Sequence, residues 1–210
     1  GLFYTSYLLC LSGLLGVTIT GDAFNVFVFL EISSLSSYVL ISLGRQPMAL
    51  TAAYRYLVLG TIGATFYLIG VGLLYQATGT LNIADLAVRV SELSDSRSVR
   101  AAFGFMTVGI GIKLALFPLH VWLPNAYAYA PSVSSAFLAA TATKVSIYVL
   151  IRVFYTIFGP AFSFETLPLD WVLLPLAIIA MFAGSVIAIF EVDVKRMLAY
   201  SSVAQIGYII

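Results

Sequence analysis

Three ionisable residues stand where ordinary soluble chemistry would not put them. Glu31, Lys113 and Lys144 each lie inside a long apolar stretch. A charge held deep in hydrocarbon is costly, so such residues face a protein interior and act there. Each has polar company at helical spacing, where positions three and four apart are neighbours on one face. Glu31 is followed by Ser34 at i+3, with Ser33, Ser36 and Ser37 close by. Lys144 has Thr141 at i−3 and Tyr148 at i+4. Lys113 has Gly109 at i−4, which lets a helix or water come close. Hydroxyls and bridging water would join these groups into a hydrogen-bonded chain. The chemistry that suits such a set is proton transfer. Burial favours the neutral form of an acid and of a base alike, whereas a nearby opposite charge favours the charged form of both. If Glu31 and Lys113 approach one another, a pair that closes and opens is a gate for a proton. His120, the single histidine, reads equally well as a relay member or as a cap on a broken helix.

The plainer alternatives concern the same residues. Glu31, Lys113 and Lys144 also read as interhelix hydrogen-bonding groups without a transport role. Arg152 reads as a residue snorkelling to the membrane surface. Trp122, Tyr127 and Tyr129 read as interface aromatics. Glu191, Asp193, Lys195 and Arg196 read as a solvated turn.

The elements that must hold these residues are membrane helices. Of the chain, 61% is hydrophobic and 9% charged, against about 25% charged in a soluble domain. About 20 apolar residues cross a bilayer, and six stretches qualify: Leu2–Thr20, Ala23–Leu43, Tyr54–Tyr75, Ala101–Leu119, Ser132–Phe154 and Trp171–Phe190. A seventh begins near Met197 and runs to Ile210. The longest connection, Gln76–Arg100, carries Asp85, Arg89, Glu92, Asp95, Arg97 and Arg100. Its Leu81–Leu93 part, apolar at Leu81, Ile83, Leu86, Val90 and Leu93, suits a short helix at the membrane surface. Pro118 and Pro124 remove backbone donors and predict a broken helix just after Lys113. Irregular backbone at that depth is tolerated inside protein or beside a wet cavity. Arg45, Arg55, Lys195 and Arg196 fall on one side of the membrane, and Arg89, Arg97, Arg100 and Arg152 on the other. The two counts balance, so the basic residues set no orientation.

Other classes drop out. A net charge of +1 offers nothing to nucleic acid. Cys10 is the only cysteine, which excludes an intrachain disulfide and an iron–sulfur cluster. One histidine excludes bis-histidine haem, no zinc-ligand spacing exists, and no phosphate-binding Gly-Lys-Ser/Thr loop is present. No cofactor and no metal are expected. The energy for work must come from an ion gradient or from partner subunits. The chain starts at Gly1 without a signal segment and ends within an apolar run, and it reads as an internal piece of a longer protein.

Four ordered segments carry a resemblance. Gly21–Tyr38, with Glu31 beside the Ile32–Ser37 serine cluster, resembles the helix bearing the key glutamate of antiporter-like subunits. That family spans Mrp-type cation/proton antiporters, the membrane arm of respiratory NADH–quinone oxidoreductase (complex I) and related hydrogenases. Lys113–Pro131 resembles its broken-helix motif. Ala139–Arg152 resembles the following helix with its central lysine. Asp193–Ser202 resembles the Lys-Arg-x-Leu-Ala-Tyr-Ser-Ser signature. The resemblance implies an all-α, polytopic helix bundle of about fourteen helices containing two inverted repeats of about five. Residues 1–155 would form the first repeat, and 171–210 would open the second. It also implies roles: Glu31 as the pairing carboxylate, Lys113 as the gated lysine and Lys144 as the central relay lysine. Complex I versions commonly carry Asp, His and Glu after the break, where this chain has Asn125, Tyr127 and Tyr129. That pattern is more similar to the D-type member of the Mrp antiporters. The implied partners are other membrane subunits of a hetero-oligomeric antiporter or respiratory complex, the lipid bilayer, protons, and Na⁺ or K⁺. The implied location is the bacterial inner membrane.

Overall fold

The computed structural model describes residues Gly1–Ile210, and it contains nine α-helices and no named strand. They are α1 (Leu2–Ile19), α2 (Ala23–Ser42), α3 (Met48–Thr78), α4 (Ile83–Glu92), α5 (Arg97–Leu114), α6 (Leu123–Tyr129), α7 (Ser132–Ile151), α8 (Asp170–Phe190) and α9 (Val194–Ile209). Six spans are long and apolar enough to cross a membrane, α5 and α6 counting as one broken span, Arg97–Tyr129. The all-α, polytopic architecture and the six expected spans are therefore present.

The boundaries differ where charge reads as an end. α3 starts directly after Pro47, six residues before Tyr54, and keeps the exposed Arg55 within it. α5 likewise starts at Arg97. A long basic side chain on the first turns reaches water without ending the helix. α9 starts at Val194, where the Asp193 side chain accepts from the Arg196 amide. This cap places the helix start three residues before Met197. The connection after α7 is also more regular than expected. Wide π-type turns run over Arg152–Ile157 and Ala161–Thr166. Phe154, Phe158 and Phe162 fold back there onto Phe103 of α5.

α3 and α5 pack at backbone range because both present glycine at the crossing. A Cβ on Gly109 would stand 2.5 Å from the Gly63 carbonyl oxygen and 2.7 Å from the Tyr67 amide. Small residues at such crossings are how membrane helices gain van der Waals contact. This approach fixes α5 against α3 one turn before Lys113.

One end of the bundle is belted by short contacts. Asp22 and Asn82 form an isolated antiparallel bridge, in which Ala23 N donates to Leu81 O (2.8 Å) and Ile83 N to Gly21 O (2.9 Å). The Asn82 side chain caps α4, which buries Ile83, Leu86 and Val90 against the bundle. Arg89 pairs with Asp85 (3.0 Å) and donates to Thr78 O (2.8 Å). Arg152 is half-buried, donates to Thr20 O (2.8 Å) and lies against the Tyr148 ring, tying the end of α7 to the end of α1.

Candidate functional site: a buried ion pair at a broken helix

The site begins with how α5 stops. Ala115 adopts the left-handed conformation at φ 62° and ψ 43°. Its amide donates to Ile112 O (3.2 Å), and the Leu116 amide donates to Gly111 O (2.9 Å). This pair of bonds is the closure that satisfies the last carbonyls of a helix. An alanine in that conformation costs roughly 1–2 kcal/mol, offset by the packing around it. A short 3₁₀ turn, Leu119–Trp122, then leads into α6, whose first turn contains Pro124. Lys113 is consequently in the last turn of α5, where free carbonyl ends favour a cation.

The Lys113 side chain is 4% exposed. Its Nζ donates to Glu31 Oε1 at 2.9 Å and to Ser34 Oγ at 2.6 Å. Glu31 and Ser34 project together from α2 because they are three residues apart. The Glu31 carboxylate is the more open partner, at 22% exposed. Ionised hydrogen bonds of this kind are about twice as strong as neutral ones. They compensate two charges that would otherwise be stranded.

The other expected members stand apart. Lys144 lies on an exposed face of α7, and its Nζ donates to Ala139 O (2.8 Å) of its own helix. His120 stacks on Phe117 (5.1 Å) and meets the Tyr200 ring edge-on (6.4 Å), and its Nδ1 is buried without a hydrogen-bond partner. No direct bond joins either residue to the Glu31–Lys113 pair. Thr107 on α5, and Ser134 and Thr143 on α7, carry buried hydroxyls without a protein partner. Unpaired buried hydroxyls of this kind are uncommon in native interiors.

Two groups turn out differently from expectation. Trp122 and Tyr127 are buried rather than interfacial. The indole Nε1 of Trp122 donates to Ile112 O (2.9 Å), and the Tyr127 hydroxyl donates to Leu138 O (3.2 Å). The Trp122 acceptor is in the last turn before the break and the Tyr127 acceptor is inside α7, so each buried ring brings its polar atom to a backbone carbonyl. The Glu191–Arg196 segment is more than a solvated turn. Lys195 Nζ donates to Ala130 O (2.8 Å) and Arg196 Nη2 to Asn125 Oδ1 (3.0 Å). Two cations at the start of α9 thus clasp both ends of α6. Apart from its place in a familiar motif, nothing in the local sequence marks that clasp. No cluster of three or more His, Cys, Asp or Glu gathers in a form that holds a metal.

A helix broken beside a buried acid–base pair, within a bundle of six apolar spans, defines a polytopic α-helical membrane protein with ionisable groups enclosed in its interior. The family described as "NADH:quinone oxidoreductase/Mrp antiporter, TM" matches residues 20–210, and the chain belongs to it. It is 52% identical to the N subunit of NADH-quinone oxidoreductase from Desulforudis audaxviator, over 100% of this chain and 41% of that protein. It is 38% identical to the D subunit of the Na(+)/H(+) antiporter from Alkalihalophilus pseudofirmus, over 99% of this chain and 41% of that protein. Among solved structures, a chain of the Mrp complex from Dietzia sp. superposes with a TM-score of 0.86 at 33% identity, covering 97% of this chain and 37% of that one. The chain spans about two fifths of the length of the curated relatives it matches.

Proposed function

We propose that this chain is the proton-handling part of a D-type subunit in a multisubunit Na⁺(K⁺)/H⁺ antiporter of the Mrp kind, in a bacterial inner membrane. The observation that carries the reading is the enclosed Lys113 ammonium, held by Glu31 at 2.9 Å and Ser34 at 2.6 Å beside a broken helix. The relay residues are Glu31, Lys113, Lys144 and His120. With the pair closed, both groups keep their charges. Opening it removes the carboxylate that holds the proton on the amine. The buried hydroxyls of Thr107, Ser134 and Thr143 lie on α5 and α7, which pack together. They supply the water-bridged steps between Lys113 and Lys144. Residues 1–155 form the first repeat of the whole protein, and residues 171–210 begin the second. The protein partners are the other membrane subunits of the complex.

The test uses the full-length protein with its partner subunits in everted membrane vesicles. Collapse of a preformed pH gradient on adding Na⁺ or K⁺ is the readout. Glu31→Gln, Lys113→Ala and Lys144→Ala should each lower the rate by roughly 10²-fold or more, the scale on which a positioned proton donor or acceptor matters. Three variants that assemble normally and transport like wild type would sink the proposal.

The 52% identity to the N subunit of a quinone oxidoreductase supports a second reading, in which the same helices form the proton-pumping arm of a quinone reductase or a membrane-bound hydrogenase. Purifying the intact complex separates the two. A redox complex brings flavin and iron–sulfur subunits with it and reduces quinone, whereas an antiporter brings only membrane subunits and shows cation-dependent proton movement.

A further inference from the structure

Glu31, Ser34 and Tyr38 are spaced three and four residues apart and share one face of α2. The Tyr38 ring meets Tyr56 of α3 edge-on, with centroids 4.7 Å apart and planes at 90°. Tyr56 lies flat on Trp122, at 3.8 Å and 5°. The Trp122 indole donates at 2.9 Å to the carbonyl of Ile112, the residue before Lys113. All three rings are buried, Trp122 to 2% exposure. The Tyr38 hydroxyl sits against Gly60 of α3, in space that any side chain there would fill.

These contacts close a ring. One route from Glu31 to Lys113 is the ion pair itself. The other runs along α2 to Tyr38, across Tyr56 to Trp122, and through the Ile112 carbonyl back to Lys113. We propose that this aromatic stack sets the separation of Glu31 and Lys113, making Tyr56 and Trp122 positioning residues for the proton step. Aromatic rings suit the task because they have few rotatable bonds and prefer defined edge-on or stacked geometries. The carbonyl that Trp122 holds belongs to the last turn of α5, where the helix has begun to lose its own hydrogen bonds. Without the indole, only the longer Ala115 amide bond (3.2 Å) holds that carbonyl, so the turn shifts more readily, and the ammonium shifts with it. A difference of about 1 Å in such a constellation is enough to alter rate greatly. The stack does not carry the proton; it fixes the distance over which the proton is exchanged.

This inference rests on the proton-transfer reading above, so its test has a readout independent of transport. In the full-length protein within its complex, isotope-edited infrared spectroscopy follows the Glu31 carboxyl through a pH titration, the band being assigned by its loss in Glu31→Gln. Trp122→Phe keeps a ring and removes the N–H; Tyr56→Leu removes the stack. Each should move the midpoint of the Glu31 band by about 0.5–1 pH unit, a part of the roughly one-to-three-unit effect of a facing opposite charge that has been displaced. The pH profile of transport should move with it. Tyr38→Phe and Tyr56→Phe keep the rings and should titrate and transport as wild type. A Trp122→Phe protein that assembles and titrates Glu31 like wild type overturns the inference, and Tyr56→Leu carries the same test if Trp122→Phe fails to assemble. Loss of transport in Tyr38→Phe or Tyr56→Phe, with the Glu31 titration unmoved, also overturns it, since the hydroxyls would then be relaying protons. If Glu31→Gln transports normally, the proton reading fails, while the infrared titration still decides whether the stack positions the pair.

Discussion

Lys113 and Lys144 are the same residue type, each set within an apolar helix, yet they occupy opposite circumstances. Lys113 is enclosed, with a carboxylate and a hydroxyl on its ammonium. Lys144 is exposed on α7 and bonds only to a carbonyl of its own helix. The difference comes from what stands opposite each helix. α5 is pressed to α3 through Gly63 and Gly109, which leaves Lys113 in its last turn within reach of Glu31 and Ser34 of α2. The Lys144 face of α7 lies beside α1, which it meets through Phe137 on Tyr7 and Tyr148 on Thr18, and α1 carries no acidic residue to pair with the lysine. Burial and pairing are thus properties of the neighbouring elements rather than of a lysine's depth along its own helix.

The largest effect expected of this contrast is on stability. Lys113→Ala strands the Glu31 carboxylate and should destabilise the protein by about 3–5 kcal/mol, seen as a lowered thermal midpoint of the detergent-solubilised full-length protein. The double variant Glu31→Gln/Lys113→Ala should recover much of that loss without regaining transport. If the single and double variants melt alike, the pair is not coupled in the way the geometry describes. Next, Gly109→Ala pushes a methyl into the Gly63 carbonyl and should cost about 1–3 kcal/mol by overpacking. The same melting experiment checks it, and an unchanged midpoint would mean that the α3–α5 approach does not constrain Lys113. Lys144→Ala sharpens the comparison from the other side. It should alter stability by no more than about 0.5 kcal/mol, as exposed substitutions do, while transport in vesicles falls. A large stability loss would place Lys144 in a structural network instead.

The smallest effect lies at α4. The Arg89 hydrogen bond, then Thr80, hold the Asp85 carboxyl below the usual aspartate range. A depressed carboxyl adds stability above its unfolded value, ~3.9, and loses it as pH falls through the lower folded value. The exchange protection factors of α4, corrected for the intrinsic pH dependence of amide exchange, should therefore be steady from neutral pH down to about 4, and should fall only in more acid solution. Replacing Asp85 with Asn should remove that acid step.

Much of this is legible in the residues, for identifiable reasons. Runs of apolar residues the length of a bilayer fix the number of spans, because unsatisfied backbone in hydrocarbon leaves helices as the only form for them. Pro118 and Pro124 mark the break, because each lacks an amide donor. The alternation of Ile83, Leu86 and Val90 with charges marks α4. Charge near helix ends is the misleading signal: Arg55 and Arg97 read as marking the ends of spans, but long side chains let α3 and α5 include them. The roles of Trp122, Lys195 and Arg196 are not legible, since each bonds to a backbone or side-chain oxygen presented by a distant segment.

By itself the sequence determined which residues carry charge into the membrane and where the fifth helix must break. Both follow from local chemistry: the solvation of a side chain and the donors available to a backbone. Only the tertiary structure decided that Glu31 and Lys113 meet while Lys144 stands apart, and that α9 grips α6. Those outcomes depend on crossings between helices, such as Gly63 against Gly109, that bring together residues far apart in the chain. A residue's own neighbours in sequence hold no record of what will face it.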